Sequence, residues 1–366
     1  MLKVLMLANH FVGHGGGSER IADDLAQYLA SQELFAVTLA ANGKPPVDRA
    51  YSTFSIRGST LAERLTGLPL LMPMPQDLVA IRKAVLDCDA VVLHDNLYLT
   101  HLLVQLIANR RRIPVLLIKH TGWVYSRTAV QAAAQRLIQR HVVGPSLNAA
   151  TRLVAVTEAK REALRQLVGA KHIEVIGNGI DTKFFTPDGG KRDIDVLFVG
   201  RFVEKKGIGL VKELARKLPD VNFLCVGFGP IDPRNWDLAN VRVLLRPNLE
   251  KIRDAYQRAK VTILPCVSEG TPLVVAESLA CGTPVIVSDH AAHPHLPAAA
   301  VLPVDLSWPT PVVESWQAAI LHQLSQGIDA AALHGAASRA FSFETMGERY
   351  AHLIRQMISE PAGPHP

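Results

Sequence analysis

Residues 268–282 have the sequence SEGTPLVVAESLACG, and this stretch decides the predicted fold. It follows an apolar, β-branched run at 261–265, which is typical of a buried strand. Thr271 and Pro272 are typical of the first residues of a helix, and Gly282 is typical of the residue after a helix end. A buried strand that leads directly into a helix is the unit of a parallel α/β sheet, and the amide groups at such a helix start can bind an anion.

Two carboxylates flank the start of this helix. Glu269 precedes the helix, and Glu277 lies one turn beyond Leu273. Both can reach a ligand that lies across Gly270, where a phosphate can approach the backbone. Carboxylates accept hydrogen bonds from hydroxyl groups, so phosphate donors between two carboxylates predict a nucleotide-sugar better than a bare nucleotide. In the alternative interpretation, Glu269 is a solvated loop residue and Glu277 is a surface position on an ordinary helix.

The composition is typical of a soluble globular protein. The chain has 366 residues, of which 48% are hydrophobic and 20% charged, so it is long enough for two domains with a core in each. No segment has the roughly 18 consecutive apolar residues that a membrane span needs. The four cysteines are scattered in apolar surroundings without metal-ligand spacing, so we expect buried thiols and a cytoplasmic location.

Positive charge is concentrated in the first half of the chain. The formal net charge of +6 is compatible with a nucleic acid, a membrane surface or an anionic substrate. Glu158 and Glu162 are the acids that oppose a basic set between positions 110 and 165, namely Arg110, Arg111, Arg112, Lys119, Arg127, Arg136, Arg140, Arg152, Lys160, Arg161 and Arg165. Residues 127–143 also have helical periodicity, which predicts either a peripheral helix on an anionic membrane or a core-packed helix with a solvated face. We expect no nucleic-acid partner.

Short apolar runs alternate with helical patterns along the chain, as in parallel α/β folds. The runs predicted as strands are 2–8, 36–40, 90–93, 115–118, 152–156, 196–199, 222–226, 261–264 and 285–287. The periodicity lapses into turn residues at 183–192, which predicts a linker. We therefore expect an N-terminal domain at 1–185, a C-terminal domain at 186–342, and a final helix and tail at 343–366 that packs back across the joint. Ligands should bind at the carboxyl ends of the strands.

Two further turns carry candidate chemistry. Gly16 and Gly17 follow the first strand and precede a helix that we expect to have Ser18 as its cap. Arg201 and Lys206 follow a later strand, where a planar guanidinium and a compact ammonium can clamp a diphosphate and neutralise the charge of a leaving phosphate. The alternative is a solvated basic turn.

Six short motifs occur in one order along nearly the whole chain. They are 15–20 (GGGSER), 176–181 (IGNGID), 200–207 (GRFVEKKG), 227–230 (GFGP), 269–277 (EGTPLVVAE) and 282–285 (GTPV). Their order and spacing resemble glycosyltransferase family 4, whose signature is a pair of glutamates separated by seven residues. The resemblance implies a GT-B fold, in which two doubly wound, Rossmann-like domains face each other across a cleft and the C-terminal one binds the donor.

The implied reaction is transfer of a hexose-type sugar, with retention at the anomeric carbon, from a nucleotide-sugar donor. The implied acceptor is a glycan or a lipid-linked molecule, as in the synthesis of cell-surface polysaccharide or glycolipid. The resemblance implies no metal ion and no cofactor.

The resemblance also assigns roles to individual residues. Arg201 and Lys206 would hold the diphosphate. Glu277 would bind the ribose and Glu269 the hydroxyl groups of the donor sugar. The predicted catalytic set comprises His120, Glu269, Arg201 and Lys206, of which His120 matches a family histidine that contacts the transferred sugar. The rest of the predicted donor site comprises Gly16, Gly17, Gly229, Gly270, Thr271, Pro272, Leu273 and Val274, and the predicted acceptor site comprises Asp95, Asn96 and His120.

The chain departs from the family pattern at 290–295, where HAAHPH stands in place of two glycines and an acid. These histidines lack an obvious further ligand set, so we expect no zinc site. Other functions remain open. A dinucleotide-dependent oxidoreductase would need a Gly-x-Gly-x-x-Gly loop in the first turn, which the chain lacks. A sugar-nucleotide epimerase of the same fold would act on the donor alone, and a noncatalytic binding protein would hold the donor without turnover.

Overall fold

The computed structural model describes residues 1–12, 16–59, 72–120, 136–169, 171–266, 273–288, 301–304 and 313–360. The chain forms two compact units. The first comprises Met1–Gly177 and Glu344–Pro366, and the second comprises Asn178–Phe343. The chain therefore returns to its first unit at the start of its last helix.

Strands and helices alternate through the described residues. The strands are β1 (Leu2–His10), β2 (Phe35–Asn42), β3 (Ser52–Ser55), β4 (Gly58–Ser59), β5 (Met72–Pro73), β6 (Ala90–His94), β7 (Val115–Lys119), β8 (Arg152–Ala155), β9 (Ile173–Val175), β10 (Ile194–Arg201), β11 (Phe223–Phe228), β12 (Val241–Leu245), β13 (Ala259–Leu264), β14 (Val285–Ser288) and β15 (Val301–Val304). The α-helices are α1 (Gly17–Ser31), α2 (Pro75–Leu86), α3 (Leu99–Arg110), α4 (Gly144–Ala149), α5 (Glu158–Val168), α6 (Ile208–Lys217), α7 (Leu249–Arg258), α8 (Leu273–Ala280), α9 (Val313–Ser325), α10 (Ala330–Ala340) and α11 (Phe343–Ser359). A π-helical segment spans Gln139–Val143, and 3₁₀ turns span Glu204–Lys206 and Pro233–Trp236. None of these helices is long and apolar enough to cross a membrane.

Each unit is built on one large parallel sheet. The strand order is β3-β2-β1-β6-β7-β8-β9 in the first unit and β12-β11-β10-β13-β14-β15 in the second. In both sheets the order reverses beside the first strand of the unit, and this topological switch point leaves a crevice at the carboxyl ends of the strands. The crevice lies at the ends of β1 and β6 in the first unit and at the ends of β10 and β13 in the second.

Every run predicted as a strand forms one. The confirmed predictions correspond to β1, β2, β6, β7, β8, β10, β11, β13 and β14. These are internal strands, which are covered on both faces and therefore appear in the sequence as continuous apolar runs. Strands β6 and β7, for example, are buried along their whole length.

The strands that the sequence analysis missed lie mainly at sheet edges. They are β3, β9, β12 and β15, together with the short antiparallel pair β4–β5. Edge strands are short and partly solvated, so their side chains need not be apolar. Strand β3 has the sequence STFS, with three exposed residues, and β12 carries the exposed Arg242.

Residues 178–185, which the sequence analysis places in the N-terminal domain, lie in the second unit. Ile180 forms a parallel bridge with Ser342, and its amide donates to the Phe341 carbonyl at 2.9 Å. Phe185 is fully buried in the core beneath the second sheet. Packing of apolar side chains, rather than the turn-rich composition at 183–192, therefore decides where this segment belongs.

The first helix confirms its predicted apolar stripe but not its predicted cap. Ile21, Leu25 and Leu29 are buried. The helix begins at Gly17 with Gly16 as the N-cap residue, so the prediction that Ser18 caps it is wrong. The Ser18 hydroxyl lies within the first turn and donates instead to Oε2 of Glu19, at 3.0 Å.

Candidate functional site

Two predicted cations lie at the switch point of the second sheet. Arg201 is the last residue of β10 and is exposed, while Lys206 ends the 3₁₀ turn that follows. Burial, with smaller contributions from the charges of Lys205 and Arg201, lowers the pKa of Lys206 to about 8. An anion bound beside these side chains would favour the charged form of Lys206, so the two cations form a candidate phosphate site.

Gly207 allows the turn that carries Lys206 to approach the end of β13. Its φ is +77°, in the left-handed region, and a Cβ at this position would lie 1.9 Å from the Pro265 carbonyl oxygen. Only glycine meets both requirements. The position of Lys206 therefore depends on a close backbone contact between two neighbouring strand ends.

Gly229 has a packing role in the loop after β11. A Cβ at this position would lie 2.3 Å from the Phe202 carbonyl oxygen, which belongs to the turn after β10. The backbone of the loop therefore lies directly against that turn. The predicted contact of Gly229 with the donor stays a prediction.

Arg246 is a third cation at this edge of the sheet and was not among the predicted site residues. It follows β12, and its guanidinium carbon lies 4.0 Å from the centre of the Phe228 ring. Phe228 pairs in register with Arg201. A cation directly after a strand would have indicated Arg246 as a site residue, but β12 was not predicted because it is an edge strand.

Helix α8 carries Glu277, the predicted ribose ligand. Glu277 is buried, and the Tyr256 hydroxyl donates to its Oε2 at 2.9 Å. The helix is described from Leu273, and both Leu273 and Val274 are partly buried against the core. Gly282 follows the helix with a φ of +72°, so the predicted helix end is confirmed. The predicted site residues Glu269, Gly270, Thr271 and Pro272 lie outside the described residues.

Polar side chains line the switch point of the first sheet. A cavity of about 10 Å³, large enough for a single water, lies there. Its lining comprises Ala8, Asn9, Ser18, Glu19, His94, Asp95 and Tyr98. Gly16 and Gly17, predicted to line the donor phosphates, form the helix start beside this lining.

Asp95 and Asn96, the predicted acceptor ligands, hold the ends of β6 and β7 together. Asp95 forms an ion pair with Lys119 at 3.0 Å and accepts a hydrogen bond from the His120 amide at 3.2 Å. Lys119 also donates to the Asn96 side chain at 3.2 Å, and the Asn96 amide donates to Ser146 in α4. The side chains of all four residues, Asp95, Asn96, Lys119 and His120, are buried. The group is therefore rigid, with its charges paired internally.

His94 and His120 form a hydrogen-bonded pair at the same place. Nδ1 of His94 lies 2.9 Å from Nε2 of His120, and the two ring planes are nearly parallel, with centroids 5.1 Å apart and an interplanar angle of 9°. Two buried groups, His101 and Lys160, lie close enough to affect this cluster electrostatically. His120 is a predicted site residue, whereas His94 was not predicted, because it is the last residue of the apolar strand β6 and no motif marks it.

These histidines are held in the neutral form. Burial lowers the pKa of His101 and of His120 to about 4, and it lowers the pKa of His94 well below 6.5. Burial also lowers the pKa of Lys160 to about 8. A neutral imidazole can both donate and accept hydrogen bonds, so the edge at His120 suits hydroxyl groups better than phosphates.

Within the described ranges, no group of three or more His, Cys, Asp or Glu side chains is arranged to hold a metal ion. The histidines at 290–295 lie outside those ranges.

Two family models match successive parts of the chain. The model described as Glycosyltransferase Family 4 matches residues 15–184, and the model described as Glycosyl transferases group 1 matches residues 193–322. The chain is a glycosyltransferase of the family 4 kind. The predicted family is confirmed, and the matches support glycosyl transfer rather than the epimerase or the noncatalytic binding protein.

This glycosyltransferase is 28% identical over 321 residues to a D-inositol 3-phosphate glycosyltransferase of Acidothermus cellulolyticus, a match that covers 75% of this chain and 71% of the relative. It resembles the solved sucrose-phosphate synthase from Thermosynechococcus elongatus with a TM-score of 0.77 and 18% identity, over 98% of this chain and 100% of the other. It resembles Anabaena Alr3699/HepE, solved with UDP and glucose, with a TM-score of 0.71 and 15% identity, over 97% and 100%. The predicted GT-B fold class is confirmed.

Proposed function

We propose that this glycosyltransferase transfers a hexose-type sugar from a nucleoside-diphosphate donor to an acceptor hydroxyl, with retention at the anomeric carbon and without a metal ion or other cofactor. The observation that carries the proposal is the pair of cations, Arg201 and Lys206, at the switch point of the second sheet. A diphosphate leaving group gains negative charge as its bond to the sugar breaks, and fixed cations stabilise that charge. The complex of Alr3699/HepE with UDP-glucose supports this donor class.

In the proposed reaction, the bond between the anomeric carbon and the phosphate oxygen breaks, and its electron pair leaves with the diphosphate. The sugar gains cationic character, and the acceptor oxygen bonds to the anomeric carbon on the face that the phosphate leaves. The hydroxyl proton passes to the leaving phosphate oxygen, so retention requires no protein nucleophile. Arg201 and Lys206 stabilise the diphosphate, and Glu277 binds the ribose.

The neutral edge of the first sheet is proposed to hold sugar hydroxyls. His120 has a buried imidazole there, and Asp95 and Asn96 fix the strand ends around it. Glu269 is proposed to hold hydroxyl groups of the donor sugar. The variant Glu269→Ala should therefore lower turnover more than donor affinity, because contacts with the reacting sugar strengthen in the transition state.

Product analysis tests the reaction. A panel of nucleotide-sugars is first screened by calorimetry, and the binding donor is then incubated with candidate acceptors. We expect proton NMR of the product to show the anomeric configuration of the donor, and we expect full activity in the presence of EDTA. An inverted product, or activity lost to EDTA and restored by a divalent cation, would contradict the proposal.

We also propose that the acceptor is a glycan or lipid-linked molecule and that the first unit contacts an anionic membrane surface. The support is the segment around the π-helix Gln139–Val143. Leu137 is 62% exposed and Val142 is 37% exposed, and Arg136 and Arg140 are exposed beside them. Exposed apolar side chains among arginines suit the boundary between lipid headgroups and acyl chains.

Vesicle cosedimentation tests the membrane contact. We expect binding to vesicles that contain anionic lipid, weak binding to neutral vesicles, and release at high salt. The double variant Arg136→Ala/Arg140→Ala should lose about fivefold in affinity per arginine, since each basic residue contributes about 1 kcal/mol near an anionic surface. The control, Arg216→Ala/Lys217→Ala, removes equal charge from α6 in the second unit. An equal loss in both variants would contradict a specific surface.

A further inference from the structure

The hydrogen bond between His94 and His120 restricts which ring nitrogen of His120 a ligand can contact. We propose that His94 is a positioning residue, which fixes the ring of His120 and determines that Nδ1 is the nitrogen presented to a bound hydroxyl group. The inference rests on the proposed role of His120 as a sugar contact. It assigns a function to His94, which matches no motif in the sequence.

The hydrogen bond between the two rings couples their tautomers. Nδ1 of His94 and Nε2 of His120 are 2.9 Å apart, so one of these nitrogens carries a proton and the other accepts it. Because both imidazoles are neutral, the proton is on Nδ1 in both rings or on Nε2 in both rings, and a change of tautomer in one ring requires the same change in the other. The tautomer of His120 is therefore coupled to that of His94, which lies on the neighbouring strand β6.

A second contact fixes the same residue from the backbone. The His120 amide donates to Oδ1 of Asp95 at 3.2 Å, and the Asp95 carboxylate is also paired with Lys119. The ring and the main chain of His120 are thus both attached to the end of β6. The ring planes are nearly parallel, at an interplanar angle of 9°, which suits the hydrogen bond that joins the two imidazoles.

One nitrogen of His120 remains available to a ligand. Nδ1 of His120 is buried and has no hydrogen-bond partner among the described residues. A buried polar atom without a partner is costly, and a hydroxyl group of a sugar would satisfy it. Nε2 cannot serve this purpose while His94 occupies it. The geometry therefore assigns ligand recognition to Nδ1.

The first part of the test uses nitrogen NMR of ¹⁵N-histidine-labelled protein. The signals of His120 are assigned by comparison with His120→Gln. In the unchanged protein we expect one fixed tautomer, with one ring nitrogen protonated and the other not. In His94→Phe, which keeps a flat ring of similar size but removes the hydrogen bond, we expect the two signals to move toward the average of both tautomers.

The second part measures activity. We expect His94→Phe to lower kcat/KM by about tenfold to a hundredfold, as for the loss of one buried hydrogen bond. The amide of an asparagine lies near the position of Nδ1 in histidine, so His94→Asn should recover most of the loss and restore the fixed tautomer. The control His101→Phe alters a buried histidine of the same cluster that is not bonded to His120, and should change neither tautomer nor kcat/KM.

The two measurements separate the possible failures. If His94→Phe leaves the His120 signals unchanged, the positioning role is overturned whatever the activity. If the tautomer responds but kcat/KM does not, then His120 does not contact the sugar, and the proposed role of His120 fails instead. Equal effects of His94→Phe, His94→Asn and His101→Phe would indicate general damage to the core and would also overturn the inference. Circular dichroism of each variant shows whether it folds.

Discussion

The two switch points share a topology but differ in electrostatics. At the first, between β1 and β6, the side chains of His94, Asp95 and His120 are buried, the imidazoles are neutral, and the Asp95 charge is paired with Lys119. At the second, between β10 and β13, Arg201 is exposed and Lys206 lies next to it. The same strand order therefore supports one edge suited to hydroxyl groups and one suited to phosphates. Topology sets where a ligand can bind, whereas the residues that follow each strand set its chemistry.

The largest expected effect comes from acid, which should destabilise the first edge. The pKa of His101 and of His120 is about 4 in the folded chain and 6.5 when unfolded. Between these pH values the unfolded chain binds protons that the folded chain does not. The contribution of the two neutral histidines to the unfolding free energy is therefore complete above pH 6.5 and is lost as the pH falls toward 4. Each histidine adds at most about 1.4 kcal/mol per pH unit to the slope of the unfolding free energy against pH.

Urea unfolding at several pH values between 4 and 7 measures this slope. The variant His101→Phe should reduce the slope by one histidine's share while keeping the core filled. An unfolding free energy that does not depend on pH in this window, or an unchanged slope in His101→Phe, would contradict the lowered pKa of these buried histidines.

A backbone clash at the second edge should have the next largest effect. Gly207→Ala combines a left-handed φ with a Cβ that would lie 1.9 Å from the Pro265 oxygen, so we expect a loss of about 3 kcal/mol in unfolding free energy. Gly189→Ala is the matched control, because its φ of +72° is similar but nothing lies within 4 Å of the added Cβ. It should lose about 1 kcal/mol.

Urea unfolding compares these two glycine variants, and calorimetry with a nucleoside diphosphate measures the displacement of Lys206. Equal losses of stability would show that the close approach of Gly207 to the end of β13 is unimportant. An unchanged affinity for the nucleoside diphosphate in Gly207→Ala would contradict the assignment of Lys206 to the phosphate site.

Removal of a cation at the second edge should weaken diphosphate binding. Arg201→Ala should raise the Kd of a nucleoside diphosphate by about tenfold to a hundredfold, since a hydrogen bond to a charged group contributes about 1.5–3 kcal/mol. Arg216→Ala is the control, because Arg216 is an exposed arginine paired with Glu213 on α6. Calorimetry at two salt concentrations measures both, and similar affinities in the two variants would contradict a phosphate site at Arg201.

The smallest expected effect concerns the support of Glu277. Tyr256→Phe removes the hydroxyl that donates to Glu277 at 2.9 Å, and should cost about 1 kcal/mol of stability and raise the Kd of the donor about threefold to fivefold. Tyr350→Phe is the matched control, because the buried Tyr350 hydroxyl has no partner in the described part of the chain. Thermal unfolding and calorimetry distinguish the two variants, and a larger loss of stability in Tyr350→Phe would contradict a stabilising bond between Tyr256 and Glu277.

The sequence predicted internal strands well and edge strands poorly, for a physical reason. Strands β6 and β7 are covered on both faces and must be apolar, so their composition indicates their position. Edge strand β12 contacts the sheet on one side and tolerates Arg242, so its pattern is weaker. Arg246 was missed for the same reason, since a residue can be assigned to a strand end only after the strand is recognised.

The candidate site was predictable where one segment carries both the strand end and its functional residue. Arg201 follows β10 directly, and Lys206 lies in the turn after it. His94 was not predictable in this way, because its role depends on His120, which lies 26 residues later, directly after the neighbouring strand β7. Register between strands β6 and β7 brings these two rings together.

The sequence by itself determined the alternation of strands and helices, the family, and the residues that follow each internal strand, because these are local properties of the chain. The tertiary structure decided which strand ends meet, which charges are paired, and which titratable groups lose their solvent. Glu277 shows the difference. Its place on a helix follows from residues 273–282, but its burial and its bond to Tyr256 follow from packing between segments that are distant in sequence.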